Sequence, residues 1–168
     1  MHTDDINQTL TTLFTELVNG ARHDGAFVLN SGDAGLLRSL DKLSAREASG
    51  SAEGGATIAA HAQHLRFGLS LMNRWADEGG DPFSNAKWDE AWKTSVVNDE
   101  AWAAIRQGLR GEAERWLRAL GASRQVTPLE LNGMAGSIAH LAYHLGAIRQ
   151  IAAGARGPRE GTFRSPGA

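Results

Sequence analysis

The sequence predicts an all-α protein, a four-helix bundle with a long crossover between its second and third helices. Three observations lead there. Four stretches of the 168-residue chain place apolar residues at steps of three and four, the spacing that gathers them on one side of a helix. Helix-starting and helix-stopping residues bracket those stretches. A polar connection of about 15 residues, long for a bundle loop, separates the second stretch from the third.

The first stretch, Asp4 to Gly20, carries Ile6, Leu10, Leu13, Phe14, Leu17 and Val18 on one face, and Asp4 and Asp5 suit the positive end of its dipole. A short apolar run, Ala26 to Leu29, and then Leu36, Leu37, Leu40 and Leu43 at helical steps predict a linker and one short helix. Ser44 to Gly55 is small and polar and reads as a loop. Thr57 then caps a second long helix through Ile58, His61, His64, Leu65, Leu69, Met72 and Trp75, stopped at Gly79-Gly80. The connection that opens at Asp81-Pro82-Phe83 contains Trp88 and Trp92, and those rings are expected to anchor it as a packed excursion.

Asn98 or Asp99 caps a third helix bearing Trp102, Ile105, Leu109, Trp116, Leu117 and Leu120 and ending at Gly121. After Thr127-Pro128 a fourth runs through Leu131, Met134, Ile138, Leu141, Leu145, Ile148 and Ile151 and closes at Gly154. One domain over residues 1–155 follows, with residues 156–168, rich in Gly and Pro pairs, as a loose or draped tail.

Composition narrows the function. The chain is 42% apolar and 21% charged, a globular balance, and its net charge of -2 offers no footprint for nucleic acid or an anionic membrane. It has no cysteine, so any metal must sit on His, Asp or Glu. No apolar run approaches the roughly 20 residues that span a bilayer. The polar, acidic start does not resemble a signal peptide, and a cytoplasmic location is expected. Gly32-Asp33-Ala34-Gly35 lacks the spacing and the Lys-Ser/Thr of a phosphate loop, and no Gly-x-Ser-x-Gly elbow occurs.

The chemistry lies in the histidines. His140 and His144 are four apart on the last helix, which puts both rings on one face about 6 Å apart, close enough to chelate one ion. His61 and His64, three apart, do the same for the second long helix, and either can supply a third nitrogen. Three imidazoles with positions left open match a catalytic rather than a structural site. His2 and His23 lie in a terminus and a polar stretch and are not expected to touch a metal. Trp102 and Trp116 fit core packing, while Trp88 and Trp92 fall near the mouth of the expected pocket. Tyr143, about 100° around the helix from His144, is assigned to packing rather than acid chemistry. Arg66, Arg74 and Arg149 fit solvated helix faces. The apolar faces of the two histidine helices carry no Asp or Glu, so chemistry there must come from the ion, either by acidifying a bound water or by activating a thiol.

Two stretches resemble the DinB-like or YfiT-like metal-binding four-helix bundles: Thr57-Ile58-Ala59-Ala60-His61-Ala62-Gln63-His64-Leu65 and His140-Leu141-Ala142-Tyr143-His144-Leu145-Gly146-Ala147-Ile148-Arg149. In layout the likeness spans roughly residues 5–155. It implies His64, His140 and His144 as ligands of a divalent ion, nickel or zinc foremost, with His61, Tyr143, Trp88 and Trp92 in the pocket or behind the ligands. It also implies a homodimer, for which apolar surplus on the helix faces is a further sign. The activity implied is a metal-dependent thiol transferase or hydrolase acting on a small molecule, with a low-molecular-weight thiol such as mycothiol or bacillithiol as co-substrate. The alternative is a non-catalytic metal- or ligand-binding bundle serving sensing, storage or stress response. Ala147 departs from the pattern, since the family often has Gln there.

Overall fold

Backbone amides at a helix start need acceptors, and three side chains provide them where the sequence predicts. Thr57 accepts from the amide of Ala60, Asn98 from Ala101, and Thr127 from Glu130, whose carboxylate reaches back to the Thr127 amide in a capping box. A computed structural model describes residues 3–22 and 25–158 of the chain. Among them lie seven α-helices, α1 (Thr3–Asn19), α2 (Gly35–Asp41), α3 (Ala45–Ala48), α4 (Ile58–Glu78), α5 (Trp88–Ala91), α6 (Asp99–Gly121) and α7 (Pro128–Ile151), then a 3-10 turn, Ala153–Ala155, and no strand beyond isolated bridges. The protein is all-helical, and no described helix is long and apolar enough to cross a membrane.

The four long helices pack so that α4 and α1 each touch both α6 and α7. Their directions follow from the contacts. Arg66 lies against Gly108, Asn73 donates to the Glu112 carbonyl, and Asp77 pairs with Arg115, so α4 and α6 run parallel. His64 meets His140 while Met72 and Trp75 meet Gly133, so α7 runs antiparallel to α4. Parallel neighbours in sequence require a connection that returns the length of a helix, about 31 Å for the 21 residues of α4. Residues 79–98 make that return. Phe83 packs on Trp75, Trp88 on Phe67, Trp92 on His61, and Ser49 bonds the Val97 amide, so the connection lies along α4 as a strap.

The core is shared by all four long helices, with Phe14, Leu17, Trp102, Leu109, Trp116, Leu120, Met134 and Leu141 almost wholly buried. Each core indole also satisfies its N–H, Trp102 on the Leu43 carbonyl at 2.8 Å and Trp116 on Ser137 Oγ at 2.8 Å. Buried Glu16 accepts the amides of Phe27, Val28 and Leu29 and pins the linker to α1. Gly20 ends α1 at φ 104°, and a Cβ there would fall 2.3 Å from the Asp33 carbonyl oxygen, so only glycine lets the linker fold back.

Two expectations change. The stretch from Ser44 to Gly55 is not wholly loop, because Ser44 and Glu47 form a capping box that starts the one-turn α3. Arg149 is not on a solvated face: it pairs at 2.6 Å with Asp33, whose side chain is 1% exposed. Of the segment expected as a tail, residues 156–158 lie against the bundle, Arg156 donating to the Arg149 carbonyl and Pro158 accepting from Asn30. Residues 159–168 fall outside the described residues, as do His2 and His23.

Candidate metal centre

Because α4 and α7 are antiparallel, the i,i+3 pair of one meets the i,i+4 pair of the other. His64 Nε2 lies 3.0 Å from His140 Nε2, and His140 Nε2 lies 2.9 Å from His144 Nε2. His61 Nδ1 lies 2.9 Å from His144 Nδ1. One ring nitrogen from each of His64, His140 and His144 falls within 4.8 Å of the others, and no carboxylate joins the group among the described residues.

Hydrogen bonding alone satisfies this convergence poorly. A neutral imidazole nitrogen carries either one N–H or one lone pair, so His140 Nε2 cannot serve two close nitrogens equally. Protonating a second ring would place like charges side by side. A single cation accepts all three lone pairs, and two nitrogens each about 2.0 to 2.1 Å from one ion fall roughly 3 Å apart.

The rings are held neutral, as ligands must be. Burial, then the neighbouring His140 and His61, pushes His64 down to about 4. Burial, then His140, His64 and His61, pushes His144 down to about 3. Burial lowers His61 and His140 as well. If Nε2 of His144 offered its lone pair to an ion, its hydrogen would sit on Nδ1, 2.9 Å from His61 Nδ1. His61 would then stand behind His144 and orient it. His64 Nδ1 is buried without a hydrogen-bond partner among the described residues.

The strap closes one side. Trp92 stacks on His64 with centroids 4.2 Å apart and planes 24° apart, and meets His61 edge-on at 5.4 Å. Trp88 stands 5.6 Å from His64 on the side where a cavity of about 300 Å³ opens between α4 and α7. His64 and His140 line that cavity; His61 and His144 do not.

The two tryptophans expected near the pocket thus divide the work, Trp88 walling the cavity and Trp92 sealing the histidines. Tyr143, expected in the pocket or in packing, is 71% exposed and absent from the cavity lining, meeting His144 edge-on with ring centroids 5.0 Å apart. The turn of the helix between neighbours carries it outward. Phe83, Gly68, Gly133, Gly136 and Ser137 line the cavity and were not anticipated. The signal for two of them was available: Gly68 is four residues after His64 and Gly136 four before His140, on the same faces. Comparison with protein-family models, curated proteins and solved structures finds no match to this chain.

Proposed function

We propose that the chain is a DinB-like four-helix bundle that holds one divalent ion, nickel or zinc, on His64, His140 and His144. The observation that carries this is the convergence of three neutral ring nitrogens, two of the separations being 2.9 and 3.0 Å, with no acid in the group among the described residues. Such an ion would supply Lewis acidity in a site that holds no general base of its own. The reading that goes with it is a metal-dependent enzyme of the thiol-transferase or hydrolase type, acting on a small molecule that enters from the Trp88 side. Non-catalytic binding of a metal and small ligand is the second reading, favoured by the lack of any acidic or basic group other than the histidines in the cavity lining.

Metal analysis of untagged protein tests the centre, with about one equivalent expected in wild type and less than about 0.2 in His140→Ala. Retention of the full equivalent by His140→Ala refutes it. Thiol consumption by the metal-loaded protein with a panel of electrophiles, measured against free metal, then separates enzyme from binder. Turnover above free metal favours the first, and none with any pair favours the second. The homodimer belongs to the same proposal and is read by sedimentation.

A further inference from the structure

The cavity has one polar end. Along α4 it runs from His64 past Gly68 to Met72, and along α7 from His140 past Gly136 to Gly133. Eight residues of helix rise about 12 Å, so the histidines sit at one end and Met72, with Phe83 of the strap, at the other. Among the described residues the one hydroxyl in the lining has its hydrogen taken, since Ser137 Oγ accepts from Trp116 Nε1 and donates to the Met134 carbonyl at 2.7 Å. Beyond the two histidines no lining side chain ionises. A charged group carried to the far end would exchange part of its water for Met72 and Phe83 and find no charged partner in the lining.

The space itself is made by glycines. Each glycine inside a helix costs about 0.5 to 1 kcal/mol relative to alanine. A Cβ on Gly136 would meet nothing within 4 Å, and one on Gly68 would make only ordinary contacts, 3.8 Å from His140 Cε1 and from Trp88. Alanine fits both places and favours the helix, so packing does not require glycine at either. What glycine leaves there is room beside His64 and His140.

We infer that this cavity binds a small molecule with an uncharged, apolar body about the size of one aromatic ring, its single metal-directed atom facing His64 and His140. A volume of about 300 Å³ is at the small end for ligand sites, which limits the body to that size. The inference rests on the metal reading for the direction of the head group, and on the cavity alone for the body. It deepens the proposed function by excluding from this cavity a co-substrate whose distal end is charged.

Two thiols with the same head test it by calorimetry on zinc-loaded protein: phenylmethanethiol, and 4-(sulfanylmethyl)benzoate, which adds a distal carboxylate. The neutral thiol is expected to bind at least tenfold tighter, and Gly136→Leu, with its metal content checked, is expected to weaken it at least tenfold. Equal affinity, tighter binding of the carboxylate, or no effect of Gly136→Leu overturns the inference. Benzyl alcohol binding to chelator-stripped protein, followed by calorimetry, keeps the two readings apart. Binding there that Gly136→Leu abolishes, with no metal retained by wild type, leaves the cavity standing and removes the metal centre. One equivalent of zinc with no neutral probe bound removes the cavity and leaves the centre.

Discussion

Two polar clusters lie within one and a half turns of each other on α7 and are built on opposite plans. At Arg149 the guanidinium meets Asp33, and the same carboxylate oxygen that accepts it at 2.6 Å also accepts the Gly35 amide at 2.8 Å. Opposite charges pair, the carboxylate is nearly inaccessible, and the linker is tied to the last helix. At His140 and His144 four groups of one kind face each other, and His140 Nε2, with one hydrogen or one lone pair to offer, lies beside two other ring nitrogens. The first cluster pairs its charges within the chain. On the proposed reading the second is completed by a cation, which would be the difference between a structural lock and a binding site.

Substitutions break this comparison most sharply at the ligands. Loss of His64, His140 or His144 to alanine is expected to abolish stoichiometric metal while leaving the helical circular dichroism intact. His61→Ala is expected to retain metal but to weaken affinity by about 10- to 100-fold, because it removes only the group that orients His144. Competition with a chelating dye measures both. If His61→Ala loses metal as completely as His64→Ala, His61 is itself a ligand. At the lock the pattern reverses. Asp33→Ala leaves Arg149 without its buried partner and is expected to cost about 3 kcal/mol, a fall in Tm of roughly 6 to 12 °C, with metal affinity unchanged.

The two clusters also differ in how far the sequence reveals them. His140 and His144 are legible because their relation is local: four residues on a helix fix a shared face. The caps at Thr57, Asn98 and Thr127 are local as well, and so is the Ser44–Glu47 box, which was legible in principle but masked by the small, polar residues around it. Asp33 and Arg149 stand 116 positions apart, and nothing in either neighbourhood names the other. Nor does periodicity give helix direction. That α4 and α6 are parallel, and that the strap must therefore pass over the histidines, emerges only from tertiary contacts. The same limit hid Phe83, which only the course of the strap brings to the cavity, whereas Gly68 and Gly136 lie within helical spacing of His64 and His140.

Acid sharpens the contrast in a smaller way. His64 and His144 sit at about 4 and about 3 when folded and near 6.5 when unfolded, so the unfolded chain takes up protons first. Metal-free protein is therefore expected to keep full stability above about pH 6.5 and to lose it progressively as pH falls toward 4 and 3. Tm measured from pH 8 to 4 on stripped wild type should slope downward in that window, and on the His64→Gln, His144→Gln double variant the slope should shrink. An equal slope in both would place the acid sensitivity elsewhere.

The smallest effect separates space kept for a guest from space left by chance packing. Gly136→Ala adds a methyl group that meets no atom within 4 Å, so no clash opposes the gain in helix propensity. Stability should rise by about 0.5 to 1 kcal/mol, roughly 1 to 4 °C in Tm. Gly133→Ala, three residues away, should do the opposite, because its Cβ would fall 2.5 Å from the Trp75 ring. Both positions line one cavity on one helix, yet only Gly133 is required by packing. A rise at 136 beside a fall at 133 would show that glycine at 136 lowers stability while keeping room next to His140. A fall at both would mean that the α4–α7 contact is tighter than the cavity implies, and that the room beside the histidines is not there to be filled.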